Sequence, residues 1–201
     1  MTPVLLLMAA YLLGGIPFGF LLVKLRTGRD VRAAGSGNIG ATNVLRTTGW
    51  AIAIATLLLD IAKGFAAVWL MGRFTAGSPL WMSAAAIAVM AGHAYPVFLH
   101  FKGGKAVATF IGAFLYLTPI PLLTVLVLFV IVVAASKYIS LGSVLAAGTF
   151  PFAVWLILHP PMPVVLAALL AGAFIFYRHR ANLHRIRNGN EHLFSLLGQK
   201  K

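Results

Sequence analysis

Long apolar runs broken by short polar clusters set the pattern of this chain. The runs are Val4 to Val23, Ala51 to Gly72, Leu80 to Leu99, Ala106 to Leu117, Leu122 to Ala135, Val144 to Leu158 and Val164 to Tyr177. A helix rises about 1.5 Å per residue, so about 20 apolar residues cross a hydrocarbon core about 30 Å thick. The pattern therefore predicts an all-α polytopic membrane protein with seven transmembrane helices. Gly14-Gly15-Ile16-Pro17 should kink the first span or let it pack tightly. Ala106 to Leu117 is short for a crossing, and Thr118-Pro119-Ile120-Pro121 ends it before Leu122 to Ala135 runs back. Two crossings is the reading adopted for this stretch, with a re-entrant pair as the alternative.

The polar interruptions orient the runs. Lys24, Arg26, Arg29, Arg32 and Arg46 follow the first span, Lys102 and Lys105 follow the third, Lys137 follows the fifth, and Arg178 to Arg187 follow the last. The positive-inside rule puts all of these in the cytoplasm, which leaves the N-terminus outside and the C-terminus cytoplasmic. Of the basic residues only Lys63 and Arg73 then lie elsewhere. Three polar clusters, Gly35 to Arg46, Gly92 to Lys105 and Arg178 to Glu191, reach the same face, which argues for one shared site. No repeat, low-complexity tract or linker interrupts residues 1–201, so the chain reads as a single domain.

Composition narrows the partners. With 61% apolar residues, a mean hydropathy of +0.96 and 9% charged residues, the chain is too apolar for a soluble domain, and its lipid bilayer is its first partner. Its net charge of +13 suits anionic headgroups and phosphorylated metabolites, and in this background it does not indicate nucleic acid. The absence of cysteine excludes disulfides, thiolate metal sites and an acyl-cysteine intermediate. No basic region precedes the first apolar run, so that run reads as a retained span and not as a cleaved signal peptide. Nothing in the sequence calls for an obligate protein partner.

The clusters have the chemistry of anion sites. In Gly35-Ser36-Gly37-Asn38-Ile39-Gly40-Ala41-Thr42-Asn43-Val44-Leu45-Arg46, glycines let backbone N–H groups approach a ligand, Ser36, Asn38, Thr42 and Asn43 can cap a helix start, and Arg46 supplies fixed positive charge. An ordinary capped helix at the membrane edge is the plainer reading of that stretch alone. No Gly-Lys-Ser/Thr follows its glycines, so it is not a P-loop. Gly103-Gly104 between Lys102 and Lys105 allows a backbone nest with a cation on each side, against the plainer reading of lysines snorkelling at a membrane boundary. His93 by itself reads as a packed interfacial histidine. Asp60 and Lys63 share a helix face mid-span, as a structural ion pair or as lining of a functional cavity. Asp30, Asp60 and Glu191 are the only carboxylates and lack metal-ligand spacing, so neither a metal nor another cofactor is expected. No His has an Asp five positions later, the pair that resembles the signature of the better-known glycerolipid acyltransferases.

Taken in order, Gly35 to Arg46, then Gly92-His93 with Phe101-Lys102-Gly103-Gly104-Lys105, then His179 with Asn182 and Glu191, resemble the three motifs of the PlsY family, with Asp60-Ile61-Ala62-Lys63-Gly64 and Ser140-Leu141-Gly142 in the same pattern. These are bacterial membrane acyl-phosphate:glycerol-3-phosphate acyltransferases. The resemblance spans nearly the whole chain. It implies transfer of an acyl group from acyl phosphate to the sn-1 hydroxyl of glycerol 3-phosphate, an early step of phospholipid biosynthesis, at the cytoplasmic side of the bacterial inner membrane. It also implies that Ser36, Gly37, Asn38, Thr42, Asn43 and Arg46 bind and position phosphate, that Lys105 with Gly103-Gly104 clamps glycerol 3-phosphate, and that His179 and Asn182 orient it, with His93, Lys102 and Ser143 in the same pocket. Catalysis falls by this reading to Ser36, Arg46, Lys105, His179 and Asn182. Glu191 is expected in a structural ion pair with a nearby Arg. The base stays open between His179, His93 and a phosphate oxygen of the substrate, with the substrate-assisted route favoured because no His-carboxylate pair can be read from the sequence. Two readings from other classes compete: a transporter for a phosphorylated anion, against which no duplicated halves are visible, and a lipid-binding scaffold, which leaves the glycine-flanked clusters without a purpose.

Overall fold

In the computed structural model residues 2–194 are described, and among them the regular structure is helical. The helices are α1 (Pro3–Gly15), α2 (Phe18–Thr27), α3 (Ala41–Thr48), α4 (Trp50–Phe74), α5 (Pro79–Ala94), α6 (Val107–Leu117), α7 (Pro119–Ser136), α8 (Ile139–Leu158), α9 (Met162–Arg178) and α10 (Arg180–Arg187). Five segments are long and apolar enough to cross a membrane: Pro3–Thr27, Trp50–Phe74, Pro79–Leu99, Pro119–Ser136 and Ile139–Leu158. A sixth forms if α9 and α10, bent by 52° at His179, count as one.

The first span is broken where the sequence places Ile16-Pro17. Proline has no N–H to continue the ladder, so α1 stops at Gly15 and α2 starts at Phe18. The freed Ile16 carbonyl is not left orphaned, because Lys63 Nζ donates to it at 2.9 Å. In this way a helix break and a buried charge satisfy each other.

The stretch Ala106 to Leu117, short for a crossing in the sequence, forms one short helix. The eleven residues of α6 rise about 16 Å, roughly half a hydrocarbon core. α6 lies parallel to α4 in intimate contact: a Cβ on Gly112 would sit 1.8 Å from the Ile61 carbonyl oxygen, and one on Gly64 would sit 2.2 Å from that of Thr109. Close backbone approach through small residues is the usual basis of helix association in lipid, where apolar burial gives no net drive. Further along, Tyr116 meets Phe65 edge-on at 5.4 Å, and its hydroxyl stands near Gly72. α6 thus starts opposite the middle of α4 and ends beside its far end. The loop ahead of α6, carrying Lys105, is thereby drawn inward from the end of the bundle.

α1 and α5 make a second close pair, through Gly14 against the Val89 carbonyl and Gly92 against that of Tyr11. Phe110 and Phe114 of α6 pack with Phe150 of α8, ring centroids 4.8 to 5.0 Å apart. α7 by contrast turns Leu123, Val127, Val130 and Ile131 outward, a surface suited to lipid.

Candidate functional site

The loop between α2 and α3 is built around one side chain. Asn43, buried in the first turn of α3, donates from Nδ2 to the carbonyls of Val31, Ala34 and Asn38 at 2.9 to 3.1 Å, and its Oδ1 accepts from the Ser36 N–H at 2.8 Å. A Cβ on Gly35, at φ +60°, would stand 2.2 Å from that Oδ1, so the loop requires glycine there. Asn38 Oδ1 accepts from the Gly40 N–H at 2.8 Å. α3 begins after its N-cap Gly40 without a side-chain cap, the kind of helix start whose backbone dipole favours an anion. Ser36, Thr42 and Arg46 face the cavity from this loop and helix. Among the described residues the Arg46 guanidinium takes part in no hydrogen bond or ion pair; burial and the neighbouring Arg185 lower its pKa from the ordinary value.

The loop from Tyr95 to Ala106 is held from both sides. The N–H groups of Gly103 and Gly104 donate to the carbonyls of Ala94 and His93 at 3.2 and 3.1 Å. Arg178 donates to the two glycine carbonyls, from Nε to Gly104 at 3.1 Å and from Nη2 to Gly103 and Gly104 at 3.1 and 2.8 Å, with its guanidinium over the Tyr95 ring. The nest expected of Gly103-Gly104 is therefore not formed, since both N–H groups are spent on the protein itself. The glycines serve close packing instead: a Cβ on Gly104 would lie 2.1 Å from His93 Nε2. Lys105 emerges from this clamped loop just ahead of α6, whose uncapped N-terminus, through Val107 and Ala108, also borders the cavity.

Glu191 organises the third wall. Its Oε1 accepts from Asn182 Nδ2 at 2.6 Å and Ser140 Oγ at 3.0 Å, and its Oε2 pairs with Arg185 Nε at 2.8 Å. Asn182 is thereby oriented so that its Oδ1 accepts from Lys105 Nζ. Burial pushes the Glu191 carboxyl up, and the three hydrogen bonds outweigh it, holding the group below its ordinary value. Lys105 is lowered to about 8, chiefly by burial; Glu191 counteracts, while Arg185, Arg46 and Arg178 add to the fall. At the bend between α9 and α10, His179 Nδ1 stands 2.8 Å from the Ile175 carbonyl. A carbonyl only accepts, so the proton sits on Nδ1, and in the neutral ring Nε2 keeps its lone pair. The tail beyond α10 turns at Gly189 and is fixed by the Phe194 N–H to the Lys137 carbonyl at 2.8 Å, bringing His192 and Phe194 to the cavity.

These walls enclose one cavity of about 360 Å³. The three sequence clusters meet there: Ser36, Asn38, Thr42, Asn43 and Arg46, then His93 and Lys105, then His179, Asn182 and Glu191, with Ser143 and Asp60 also on the lining. Gly37, Lys102, Gly103, Gly104 and Lys63 are not on the lining, and Lys102 is exposed. Asn43, expected to hold phosphate, has its amide committed to the backbone of its own loop. Arg178, the clamp of the glycine loop, went unpicked because one arginine in a run of basic residues gives no sign of which carbonyls it faces. The opposite wall is apolar, formed by Trp50, Ile54 and Leu57 of α4, Ile111 of α6 and Phe129 of α7. Among the described residues no group of His, Asp and Glu is arranged to hold a metal ion.

A polar, cationic end joined to an apolar wall is the shape of a site for an amphiphile bearing phosphate. Comparison with known proteins agrees with that shape. The family model for glycerol-3-phosphate acyltransferase matches residues 4–189. The glycerol-3-phosphate acyltransferase of Geotalea daltonii is 43% identical over 193 residues, covering 96% of this chain and 98% of its own. That of Geobacillus kaustophilus is 44% identical over 188 residues, covering 93% of each chain. Among solved structures, the integral membrane glycerol 3-phosphate acyltransferase PlsY in its glycerol 3-phosphate form superposes with a TM-score of 0.90 at 37% identity, covering 97% of this chain and 96% of the other. A second form of that enzyme, with lysophosphatidic acid, gives 0.87 at 36% identity. With its loops, cavity and whole length accounted for together, this chain belongs to the PlsY family of glycerol-3-phosphate acyltransferases.

Proposed function

We propose that this glycerol-3-phosphate acyltransferase takes its acyl group from an acyl phosphate and gives it to the sn-1 hydroxyl of glycerol 3-phosphate, forming 1-acylglycerol 3-phosphate and inorganic phosphate at the cytoplasmic face of the bacterial inner membrane. One observation carries the reading: the cationic end of the cavity, with Arg46, Lys105 and two uncapped helix N-termini, opens onto the apolar wall between α4, α6 and α7. Two phosphate groups have donors in that end, and an acyl chain has a surface to lie on.

In the reaction the sn-1 oxygen attacks the acyl carbonyl carbon. The bond from that carbon to the bridging phosphate oxygen breaks, and phosphate leaves with the electron pair. The hydroxyl proton passes to a phosphate oxygen of the reactants, so no enzyme base and no acyl-enzyme are required. Arg46 and Lys105 stabilise the negative charge gathering on the leaving phosphate. Asn182, held by Glu191, fixes Lys105, and Ser36 and Thr42 present hydroxyls at the mouth. Each carboxylate is already engaged, Asp30 with Arg32, Asp60 with Lys63 and Glu191 with Arg185, which supports a reaction without magnesium.

Purified protein given palmitoyl phosphate and glycerol 3-phosphate should release inorganic phosphate and form lysophosphatidic acid without added metal, while palmitoyl-CoA in parallel gives little product. Equal or faster turnover with the thioester, strict dependence on magnesium, or acyl labelling of the protein would each overturn this donor and mechanism.

A further inference from the structure

The buried group formed by Asp60, Lys63 and His93 is not used by the reaction just described, yet two of its members border the cavity. Lys63 Nζ forms an ion pair with Asp60 Oδ1 at 2.7 Å and makes hydrogen bonds to His93 Nδ1 and to the Ile16 carbonyl, both at 2.9 Å. Asp60 and Lys63 are almost wholly enclosed, where a bare charge is costly and a compact pair is tolerated. If His93 carried a proton on Nδ1, two donors would face each other at 2.9 Å, and the nearest carboxylate oxygen is 3.5 Å away. The neutral ring must therefore accept at Nδ1, which places its proton on Nε2. His93 is 4% exposed, and among the described residues Nε2 has no hydrogen-bond partner. Gly104 packs against that nitrogen, which sets Nε2 beside the backbone leading into Lys105.

We propose that the Asp60-Lys63 pair locks His93 in its Nε2–H form, so that His93 serves the reaction as a neutral hydrogen-bond donor to a substrate oxygen and not as its base. Asp60 and Lys63 are positioning residues in this scheme, acting through the ring. The proposal rests on the acyl-transfer reading for its substrate, but the proton position on His93 is readable without turnover.

Two substitutions separate donor from base. His93→Gln sets an amide N–H near the place of Nε2, whereas His93→Asn reaches only the place of Nδ1. His93→Gln should keep kcat/KM within about tenfold of the parent, and His93→Asn should lose about 10²- to 10³-fold, as for removal of one preorganised donor. A base would be lost equally in both. Nitrogen-15 NMR of histidine-labelled protein, with the His93 signals assigned by their loss in His93→Gln, should show a protonated Nε2 and an acceptor Nδ1. Saturation with glycerol 3-phosphate or a phosphonate analogue of acyl phosphate should move the Nε2 signal. The double variant Asp60→Asn, Lys63→Met should turn the single form into a mixture of tautomers. A proton on Nδ1, an Nε2 signal unmoved by either ligand, equal loss in both His93 variants, or no loss in either would overturn the proposal. If the variants fail to fold, replacing each of the other five histidines in turn assigns His93 by elimination, and the wild-type spectrum and its ligand response decide. If palmitoyl phosphate proves inert and another donor works, the donor assignment above falls while the same tests, run with that donor, still judge His93.

Discussion

Lys105 is under opposing demands. The proposed reaction needs its charge opposite phosphate, yet burial lowers its pKa from 10.5 to about 8, so the folded protein holds that proton less well than the unfolded chain does. Between about pH 8 and 10.5 the unfolded state binds more protons, and this residue's linkage makes stability rise with pH; below 8 its charge burdens the fold. Lys105→Met should therefore lose at least about 10²-fold in kcat/KM while melting no lower than the parent at pH 7, with any advantage shrinking as pH passes 8. Calorimetry beside the assay checks both halves, and a Tm well below the parent would show that the contact with Asn182 outweighs the burial of the charge. The wild-type pH profile tests the same group. In the proposed reaction protonated Lys105 is the active form, so kcat/KM should fall as pH rises through about 8, and bound phosphate, by attracting the proton, should move the corresponding limb of kcat to higher pH. A flat profile through pH 9.5 would remove Lys105 from the phosphate site. At this scale the sequence discloses residue type but not direction. Arg46, Lys105 and Asn182 stand out as polar groups in an apolar chain and all reach the cavity. Asn43 stands out for the same reason but faces its own backbone, because an amide suits carbonyl oxygens as well as phosphate oxygens.

Among the elements, α6 is the one whose length the apolar pattern could not explain. Its brevity follows from the site: the chain needs a polar loop deep enough to bring Lys105 to the cavity, so the helix after it has only the outer part of α4 to follow. Gly64 and Gly112 hold α6 in that position. Gly112→Ala should push α6 off Ile61, cost about 1 to 3 kcal/mol, and lower activity through displacement of Val107 and Ala108 at the cavity edge. Gly148→Ala in α8 is the matched control. Nothing lies within 4 Å of its added Cβ, and alanine favours helix by about 0.5 to 1 kcal/mol, so stability should stay level or rise. Thermal unfolding in detergent compares the two, and equal behaviour would refute the contact account of α6. The kink in the first span was legible from Ile16-Pro17 because proline's effect is local. The use of the freed carbonyl by Lys63 was not, since it joins residues 47 positions apart.

For the whole molecule, the arrangement of α4, α5 and α6 ties the site to one side of the bilayer. α4 starts at the cavity with Trp50, α5 ends there with His93, α6 starts there with Val107, α8 starts there with Ile139, and α9 ends there at His179. Every apolar helix that enters the site by one end must leave by the other, so the turns at Gly77 and His159 lie at the far end. The basic residues around the near end, Arg29, Lys102 and Arg187, are exposed, and the cytoplasmic orientation proposed above rests on this charge bias of the loops. Because the chain has no cysteine, single cysteines report position without background. Cysteines replacing Arg29, Lys102 and Arg187 should react with an impermeant maleimide only when the cytoplasmic surface is open to it, and those replacing Gly77 and His159 only from the opposite surface. Arg29 and Lys102 labelling from different sides would mean that the first and second polar clusters do not share a membrane face, and the shared phosphate site would fall with them. Reversal of all five positions together would leave the cavity intact and place it at the outer face, overturning the cytoplasmic orientation proposed above.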